Sequence, residues 1–534
     1  MSSVIKSALR ASVAQGMYDE VLSRRASYYT FLGQTLSWPT QDNPGIPRDD
    51  LVYENQVRNN MISLKQITES DVCLIVPRID WVKDTVYDMY DDSYSETNPA
   101  YSGATNIKNA KFYILNGDFN VYKCISNNYD SPSTVSPIDV GVDLIHTSDG
   151  YIWKYMFNIP SSLRNKFLTN AFMPVMTALK DKFYTSGTLD KINILNPGSG
   201  YTTIPDIIVV GDGTSSNGKP NTKAKLTAVM NNGQIVNVII NDPGLGYSFA
   251  NLQVVTDAAH KPTVEAKLQV DLSIGTLNTI QSNVELQAIN GSIDFIKVTS
   301  NGANYAAAKV TITGDGEGAT AEPVIQNGQI KAINMLNHGS NYTYANVTIT
   351  GNGAGATARV IISPPGGHGK NVEKELYSSA IMTYTSISVE KNKGFTVNND
   401  YRQFGIIRNP QKYVSTDKVF SSLASACFKV TAQFDPKLYQ NDIILTDTAG
   451  HTYLIVAFDA DALSMLLLPL DNHPCTVNQV LNMQLNENTY SFKINSVELP
   501  DFNKFSGDIL YIDNRKAFSP SLEETIVTRT AIQF

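Results

Sequence analysis

The sequence predicts a mainly β, multi-domain protein. Three observations carry this. Charged residues make up only 17% of the chain, below the usual ~25%. Asn, Thr, Ser, Gly and Tyr fill the difference, a mix that suits strands joined by tight turns. Apolar residues alternate at period 2 into glycine turns, and this pattern returns four times. With 534 residues, the chain has room for about three or four domains of roughly 150 residues. The expected architecture is a discontinuous β-sandwich-like core domain with inserted β-repeat domains, a further small β domain and few short helices.

The elements follow in order. Val4, Ile5, Ala8, Leu9 and Val13 keep helical spacing, so residues 1–25 read as an amphipathic helix. Residues 27–36 read as a strand ending at Trp38-Pro39. Residues 49–64 read as a second helix, with Asp49-Asp50 as cap and acidic first turn. Val72–Val76 is a strand stopped by Pro77, and residues 82–108, rich in Asp, Tyr, Ser and Asn, form a long irregular loop. Lys111–Leu115 and Asn120–Ile125 form a hairpin across Asn116-Gly117-Asp118. Tyr151–Ile159 alternates as a strand, and 161–170 reads as a short helix.

Residues 190–364 hold the repeats: Gly198-Ser199-Gly200-Tyr201, Gly244-Leu245-Gly246-Tyr247, Gly302-Ala303-Asn304-Tyr305 and Gly339-Ser340-Asn341-Tyr342. Alternating pairs precede each turn: Ile192 and Ile194, Val238 and Ile240, Ile296 and Val298, Ile333 and Met335. Leu252 and Val254, Val310 and Ile312, and Val347 and Ile349 follow the later turns. The first copy is irregular, with Asp206 and Ile208 at those offsets. A motif repeated this often serves stacking better than catalysis, which needs one asymmetric site. The four tyrosines are expected to pack over their own glycine turns.

Beyond the repeats, residues 379–390 and 401–410 return to strands, and 415–500 forms another β-rich segment. Its clearest hairpin joins Thr452–Phe458 to Ala462–Leu468. Residues 506–534 read as a strand, a loop around Asn514-Arg515 and a final strand from Thr525.

Composition excludes several functions. A net charge of -8 and a pI near 5.4 oppose sequence-independent nucleic-acid binding, which needs dense Lys and Arg. Cys73, Cys124, Cys427 and Cys475 are scattered, without a CxxC pair or a disulfide framework. The apolar run at 463–468 is stopped by Pro469, far short of the about 20 residues that cross a bilayer. No secretory leader is visible, so a soluble protein made in a cytoplasm is expected.

Catalytic and metal signals are weak. The Gly-rich runs at 314–318 and 351–355 lack the Gly-Lys-Ser/Thr of a phosphate loop. Asp212 and Asp315 sit in Gly-Asp-Gly, but without the strict nonapeptide period of calcium β-rolls. His146, His260, His338, His368, His451 and His473 show no metal-ligand spacing, and Gly367-His368-Gly369 reads as a turn. Asp88, Asp91 and Asp92 lie in a Tyr-rich loop and offer carboxylates for a glycosidase, without a locatable acid–base pair. The expectation is a protein that is not an enzyme and has no cofactor or resident metal.

Five phrases outside the repeats carry a resemblance. They are Val76-Pro77-Arg78-Ile79-Asp80-Trp81; Val121-Tyr122-Lys123-Cys124-Ile125; Ser148-Asp149-Gly150-Tyr151-Ile152-Trp153-Lys154-Tyr155; Tyr401-Arg402-Gln403 with Ile407-Arg408-Asn409-Pro410; and Ser506-Gly507-Asp508 with Tyr511, Asn514 and Arg515. In this order, with Glu523-Glu524 and an aromatic Phe534 at the end, the chain resembles the baseplate wedge subunit (wedge subunit eight) of T-even-like contractile-tailed bacteriophages. The resemblance covers roughly 1–180, 380–413 and 503–534. The repeats and 415–500 look like insertions of longer marine and cyanophage-type members, where Gly-His-Gly followed by Glu375-Leu376 also recurs.

The resemblance implies a core domain built from 1–188, 367–413 and 503–534. It would carry β-repeat domains at 189–275 and 276–366 and a further β domain at 414–502. It implies a virion protein of the tail baseplate, assembled in the host cytoplasm as a homodimer within each wedge. Its partners would be other wedge proteins, with neither nucleic acid nor membrane insertion. Two rivals remain open from the residues: a host-glycan-binding tail adhesin, and a polysaccharide depolymerase.

Overall fold

The computed structural model describes residues 7–23, 25–40, 43–175, 187–215, 223–247, 249–257, 259–273, 276–388, 399–435, 438, 443–485, 487–518 and 525–534. Val4, Ile5 and Glu523-Glu524 lie outside them. The protein is mainly β. Its chain divides into two compact units. One comprises Met1–Ala14, Cys73–Ala380 and Gln533–Phe534; the other comprises Gln15–Val72 and Ile381–Ile532.

The second unit is built on a five-stranded antiparallel sheet. Its order is Leu423–Ser425, Met61–Ile67, Tyr28–Gly33, Tyr401–Arg408, Asp508–Phe518. Phe31 faces Leu64 on one side and Gly405 on the other. A Cβ at Gly405 would lie 2.5 Å from the Phe31 ring, so glycine there lets the ring cross the sheet. Every residue of Tyr28–Gly33 is buried. A strand covered on both faces needs no polar alternation.

The 414–502 segment closes into a six-stranded barrel: Phe428–Ala432, Ser464–Pro469, Thr452–Asp459, Ile444–Asp447, Val480–Leu485, Asn488–Glu498. Tyr453, Ile455, Met465 and Leu467 point into it with Leu481, Phe492 and Ile494. The alternate residues, Leu454, Val456, Leu466 and Leu468, join the core of the five-stranded sheet with Tyr29, Phe31 and Tyr401. The apolar run Met465–Leu468 thus reflects a strand buried on both faces.

The first unit contains a four-stranded sheet ordered Tyr113–Leu115, Asn120–Ser126, Ile152–Asn158, Leu144–His146. Cys124 pairs with Trp153, and Trp153, Tyr151, Tyr155 and Phe157 are fully buried. Asn116 ends the first strand, and its Oδ1 accepts from the Asp118 and Asn120 amides at 3.0 and 2.9 Å. The expected hairpin is built on that side chain.

Both repeat segments belong to this unit. In the first, Gln234–Asp242, Lys225–Asn231, Asp206–Gly211 and Ala250–Val255 form a sheet, accompanied by the pair Thr188–Asn196/Lys267–Ser273. In the second, three pairs assemble: Ile293–Ala303 with Ala354–Ile362, Ala308–Gly314 with Ala345–Gly351, and Thr320–Gln326 with Gln329–Asn337.

Three sequence expectations need correction, and two features add to the sequence reading. The first helix spans Ser7–Leu22, and Leu9 and Val13 are exposed while Ala14, Tyr18 and Val21 are buried. Asp50 does cap the second helix, accepting from the Tyr53 amide at 2.7 Å, but that helix ends at Asn60. Met61–Ile67 is a strand, because its β-branched and apolar side chains fill both faces of the sheet. Asn514-Arg515 lies inside the strand Asp508–Phe518, where Asn514 pairs with Gln403; a sheet edge tolerates such polar residues. A helix, Thr276–Leu286, occupies the segment between the repeat pairs. Finally, the first repeat copy is displaced by one residue: Ile207 and Val209 are buried while Ile208 is exposed. A one-residue slip exchanges the two faces of a strand.

Candidate interaction surface

Each repeat turn is built the same way. In the first two copies, positions one and three of the motif are glycines in the left-handed region, with φ 68° and 80° at Gly198 and Gly200 and 68° and 71° at Gly244 and Gly246. In the last two copies the third position is Asn304 (φ 63°) and Asn341 (φ 62°), since Asn tolerates this conformation best among ordinary residues. The first position does not vary. A Cβ at Gly302 would meet Ala356 N at 2.4 Å, Ala354 O at 2.6 Å and the Tyr305 ring at 2.8 Å. The tyrosine therefore packs over its own first glycine. Tyr201, Tyr247, Tyr305 and Tyr342 are all buried.

The copies interlock in pairs. Tyr305 Oη accepts from the Ala356 amide at 3.3 Å, on the glycine-rich run of the fourth copy. Tyr342 Oη accepts from Ala319 at 3.4 Å, on the run of the third. The earlier pair repeats the exchange: Tyr201 accepts from Ala266 (2.8 Å) and Tyr247 from Ala224 (2.9 Å). Each tyrosine amide also donates to a glycine carbonyl of the opposite copy: Tyr201 to Gly233, Tyr247 to Gly187, Tyr305 to Gly328, Tyr342 to Gly291. These are reciprocal contacts of the self-complementary kind. The runs at 314–318 and 351–355 are seats for a neighbour's ring: Gly316 abuts Tyr342 and Gly353 abuts Tyr305.

The acidic positions of those runs are engaged by backbone. Asp315 accepts from the Thr343 hydroxyl and from the Thr343 and Tyr344 amides, the latter at 2.9 and 3.1 Å, and these bonds, the hydroxyl's first, bring its carboxyl down to about 2. Asn352 does the same for Ala306 and Ala307 (2.9 and 3.0 Å), and Asp212 accepts from Phe249 at 3.3 Å. The neutral Asn serves as well as Asp because the task is to accept amide bonds.

Two modules of one design present different outer faces. On the later pair the exposed face carries Lys309, Thr311, Thr313, Asn346, Thr348 and Thr350. On the earlier pair the exposed face carries Ile208 (47% exposed), Val210 (41%), Ile239 (44%) and Val255 (41%), with Val236 (51%) at a bulge. Ile208 and Val210 stand where the later module has Thr311 and Thr313. Gln253, Asn251, Thr227 and Asp206 stand opposite Ile208, Val210, Ile239 and Val255 on the same face, so apolar and polar side chains alternate across it, and it is richer in exposed apolar residues than its counterpart.

Buried polar pairs tie the later module to the 82–108 loop and to the Gly367–Gly369 turn, and tie the four-stranded sheet to the short helix Val372–Glu375. Arg359, on Ala354–Ile362, grips fully buried Asp91 with both terminal nitrogens, Nη1–Oδ1 at 2.9 Å. Burial pushes the Asp91 carboxyl up, but the Arg359 and Ser93 bonds bring it below the usual carboxylate value. Asp294, on Ile293–Ala303, pairs with His368 Nε2 at 2.7 Å. Lys123 pairs with Glu375 in full burial and lies 4.8 Å over the Tyr90 ring. Burial pushes the Lys123 ammonium down, against the pull of Glu375. The Gly367-His368-Gly369 turn thus positions a buried imidazole, with Tyr90 edge-on at 5.0 Å.

The resemblance-carrying residues fall into two sets, one in each unit. In the first, Arg78 bonds Asp80 (2.8 Å) and the Thr169 carbonyl (3.0 Å), and the Pro77 carbonyl accepts from Tyr113 Oη (2.9 Å). Trp81 Nε1 donates to Ser133 (3.1 Å), which donates to Asp149 (3.1 Å). Gly150, at φ 83°, lets Tyr151 stack on Trp153 at 5.2 Å. In the second, buried Arg402 holds the Thr35 carbonyl and Asp400. Asn409 exchanges bonds with Ser27 across 2.7–3.0 Å, and the Pro410 carbonyl accepts from Val419. Arg58 donates to the carbonyls of Ser506 (2.9 Å) and Gly507 (2.7 Å). Asn514 bonds Tyr53 Oη and the Gly45 carbonyl, both at 2.6 Å. Tyr511 and Arg515 both reach Asp513. These residues are structural ties within their units.

The acidic loop also proves structural. Asp88 is buried and accepts from the amides of Ser102 (2.9 Å) and Lys111 (2.7 Å) and from the Ser102 hydroxyl (2.6 Å). With Asp91 held by Arg359, only Asp92 of the three is exposed.

Two features escaped the sequence reading. Gly187, Gly233, Gly291 and Gly328 each lie 14 positions before a motif tyrosine, a constant offset that a longer repeat window displays. Asp447, His451 and His473 come together in the barrel, their ligand atoms all within 4.8 Å, although 22 positions separate the two histidines. No protein-family model matches the chain, and no curated protein compared with it matches.

Proposed function

We propose that this chain is a structural subunit of a contractile phage tail baseplate wedge that works by binding other proteins. The exposed Ile208, Val210, Ile239 and Val255 of the earlier repeat module, where the later module turns mainly threonine to solvent, carry the assembly part of this reading. The five ordered sequence phrases support its placement in a baseplate. The homodimer and the wedge partners belong to the same proposal. The glycan-binding rival is weakened because all four motif tyrosines are buried under their own turns. The depolymerase rival loses Asp88 and Asp91 to structural bonds.

The test is complementation of a phage lacking this gene with an Ile208→Thr, Val210→Thr double variant. The expected outcome is a protein that melts like the wild type while contractile tails fail to assemble. Normal yields of infectious, contractile virions would overturn the docking face, and intact tails from the deletion itself would overturn the whole reading.

A further inference from the structure

The barrel brings together a ligand set that the assembly reading does not use. Asp447 is the last residue of the strand Ile444–Asp447, and His451 ends the turn that follows. His473 lies in the loop between Ser464–Pro469 and Val480–Leu485. His451 Nδ1 is 2.9 Å from Asp447 Oδ2. The two imidazoles stack with centroids 3.5 Å apart and planes 5° apart.

The carboxylate is firmly placed. Its Oδ1 accepts from the Ala449 and His451 amides, both at 2.9 Å. Its Oδ2 accepts from Gln479 Nε2 at 3.1 Å, and Gln479 also donates to Tyr453 Oη at 2.8 Å. The loop bearing His473 is tied by Asp471, which accepts from the His473 amide at 3.0 Å. Bonds that orient the ligands from behind are a regular feature of metal sites.

We propose that Asp447, His451 and His473 bind one divalent transition-metal ion of the zinc class, pinning the 470–479 loop to the neighbouring hairpin of the barrel. Two imidazoles and one carboxylate suit borderline ions such as Zn²⁺ and Co²⁺, whereas Ca²⁺ and Mg²⁺ prefer oxygen alone. The ion would take the place of the proton between His451 Nδ1 and Asp447 Oδ2. Parallel rings cannot aim both nitrogens at one ion. His473 is exposed and turns about its side-chain bonds to meet it, so the stack opens as the metal enters. Further coordination positions remain for water.

Co²⁺ is the direct probe, because its visible absorption reports both binding and nitrogen coordination. The full chain is titrated with Co²⁺, then back-titrated with Zn²⁺. One equivalent of Co²⁺ is expected, displaced by Zn²⁺ and untouched by excess Ca²⁺. His473→Ala and Asp447→Asn should each weaken binding by about tenfold or more. His473→Ala changes an exposed loop residue and should melt like the wild type without metal. Absence of a visible Co²⁺ band at millimolar metal, or equal affinity in His473→Ala, would overturn the proposal.

Discussion

At the scale of single residues, the repeats make a sharp distinction between two glycines of one motif. Gly302 combines φ 58° with backbone atoms at 2.4 and 2.6 Å from a would-be Cβ. Gly246 has φ 71° but open space around it. Gly302→Ala should therefore cost more than about 2 kcal/mol, from the left-handed conformation plus overpacking. Gly246→Asn should stay within about 1 kcal/mol, as Asn304 and Asn341 already occupy that position. Urea unfolding of both variants checks the contrast, and equal losses would refute it. Tyr305→Ala should lower stability by about 3–5 kcal/mol, the usual cost of removing a buried aromatic ring. An unchanged melting temperature would contradict its core role.

The Asp91–Arg359 pair gives a pH-dependent prediction. The folded carboxyl sits below its ordinary value, so the unfolded chain takes up its proton first as pH falls. The pair's contribution is complete above about pH 4 and is lost as pH drops through the lower folded value. Asp91→Asn leaves Arg359 without its counter-charge and should cost about 3 kcal/mol at pH 7. Its stability should then fall less steeply than the wild type's between pH 4 and pH 2. Identical slopes for the two proteins would remove the pair from the account.

At the scale of elements, legibility followed the environment of each face. Half-buried repeat strands such as Gln234–Asp242 alternate, and the sequence reading located them. Met61–Ile67 is covered on both sides and lacks alternation, so its pattern merged with the helix before it. The Asp50 cap was visible because capping chemistry is local. Closure of the six-stranded barrel was not, because it depends on Phe428–Ala432 pairing with both Ser464–Pro469 and Asn488–Glu498. The apolar residues of the outer face were hidden by the one-residue slip at Ile207, which turns Ile208 and Val210 to solvent. Likewise Asp447 and His473 meet only through the barrel's strand order. Threonine at positions 208 and 210 restores the outer face of the sister module. That exchange should abolish partner binding in a co-purification assay and leave the melting temperature unchanged.

At the scale of the whole molecule, one chain threads two units. Residues 401–408 return to pair with 28–33 and are flanked in turn by 508–518, while 73–380 makes up most of the other unit. Within the latter, two modules of one design differ in what they turn to solvent, which fits a protein whose activity is contact with its neighbours. That assembly role is tested most directly by cryo-electron microscopy of the intact phage tail. The account predicts density for this chain within the baseplate wedges, with Ile208, Val210 and Ile239 covered by an adjacent protein. A baseplate complete without this polypeptide, or the chain in place with that face open to solvent, would contradict it.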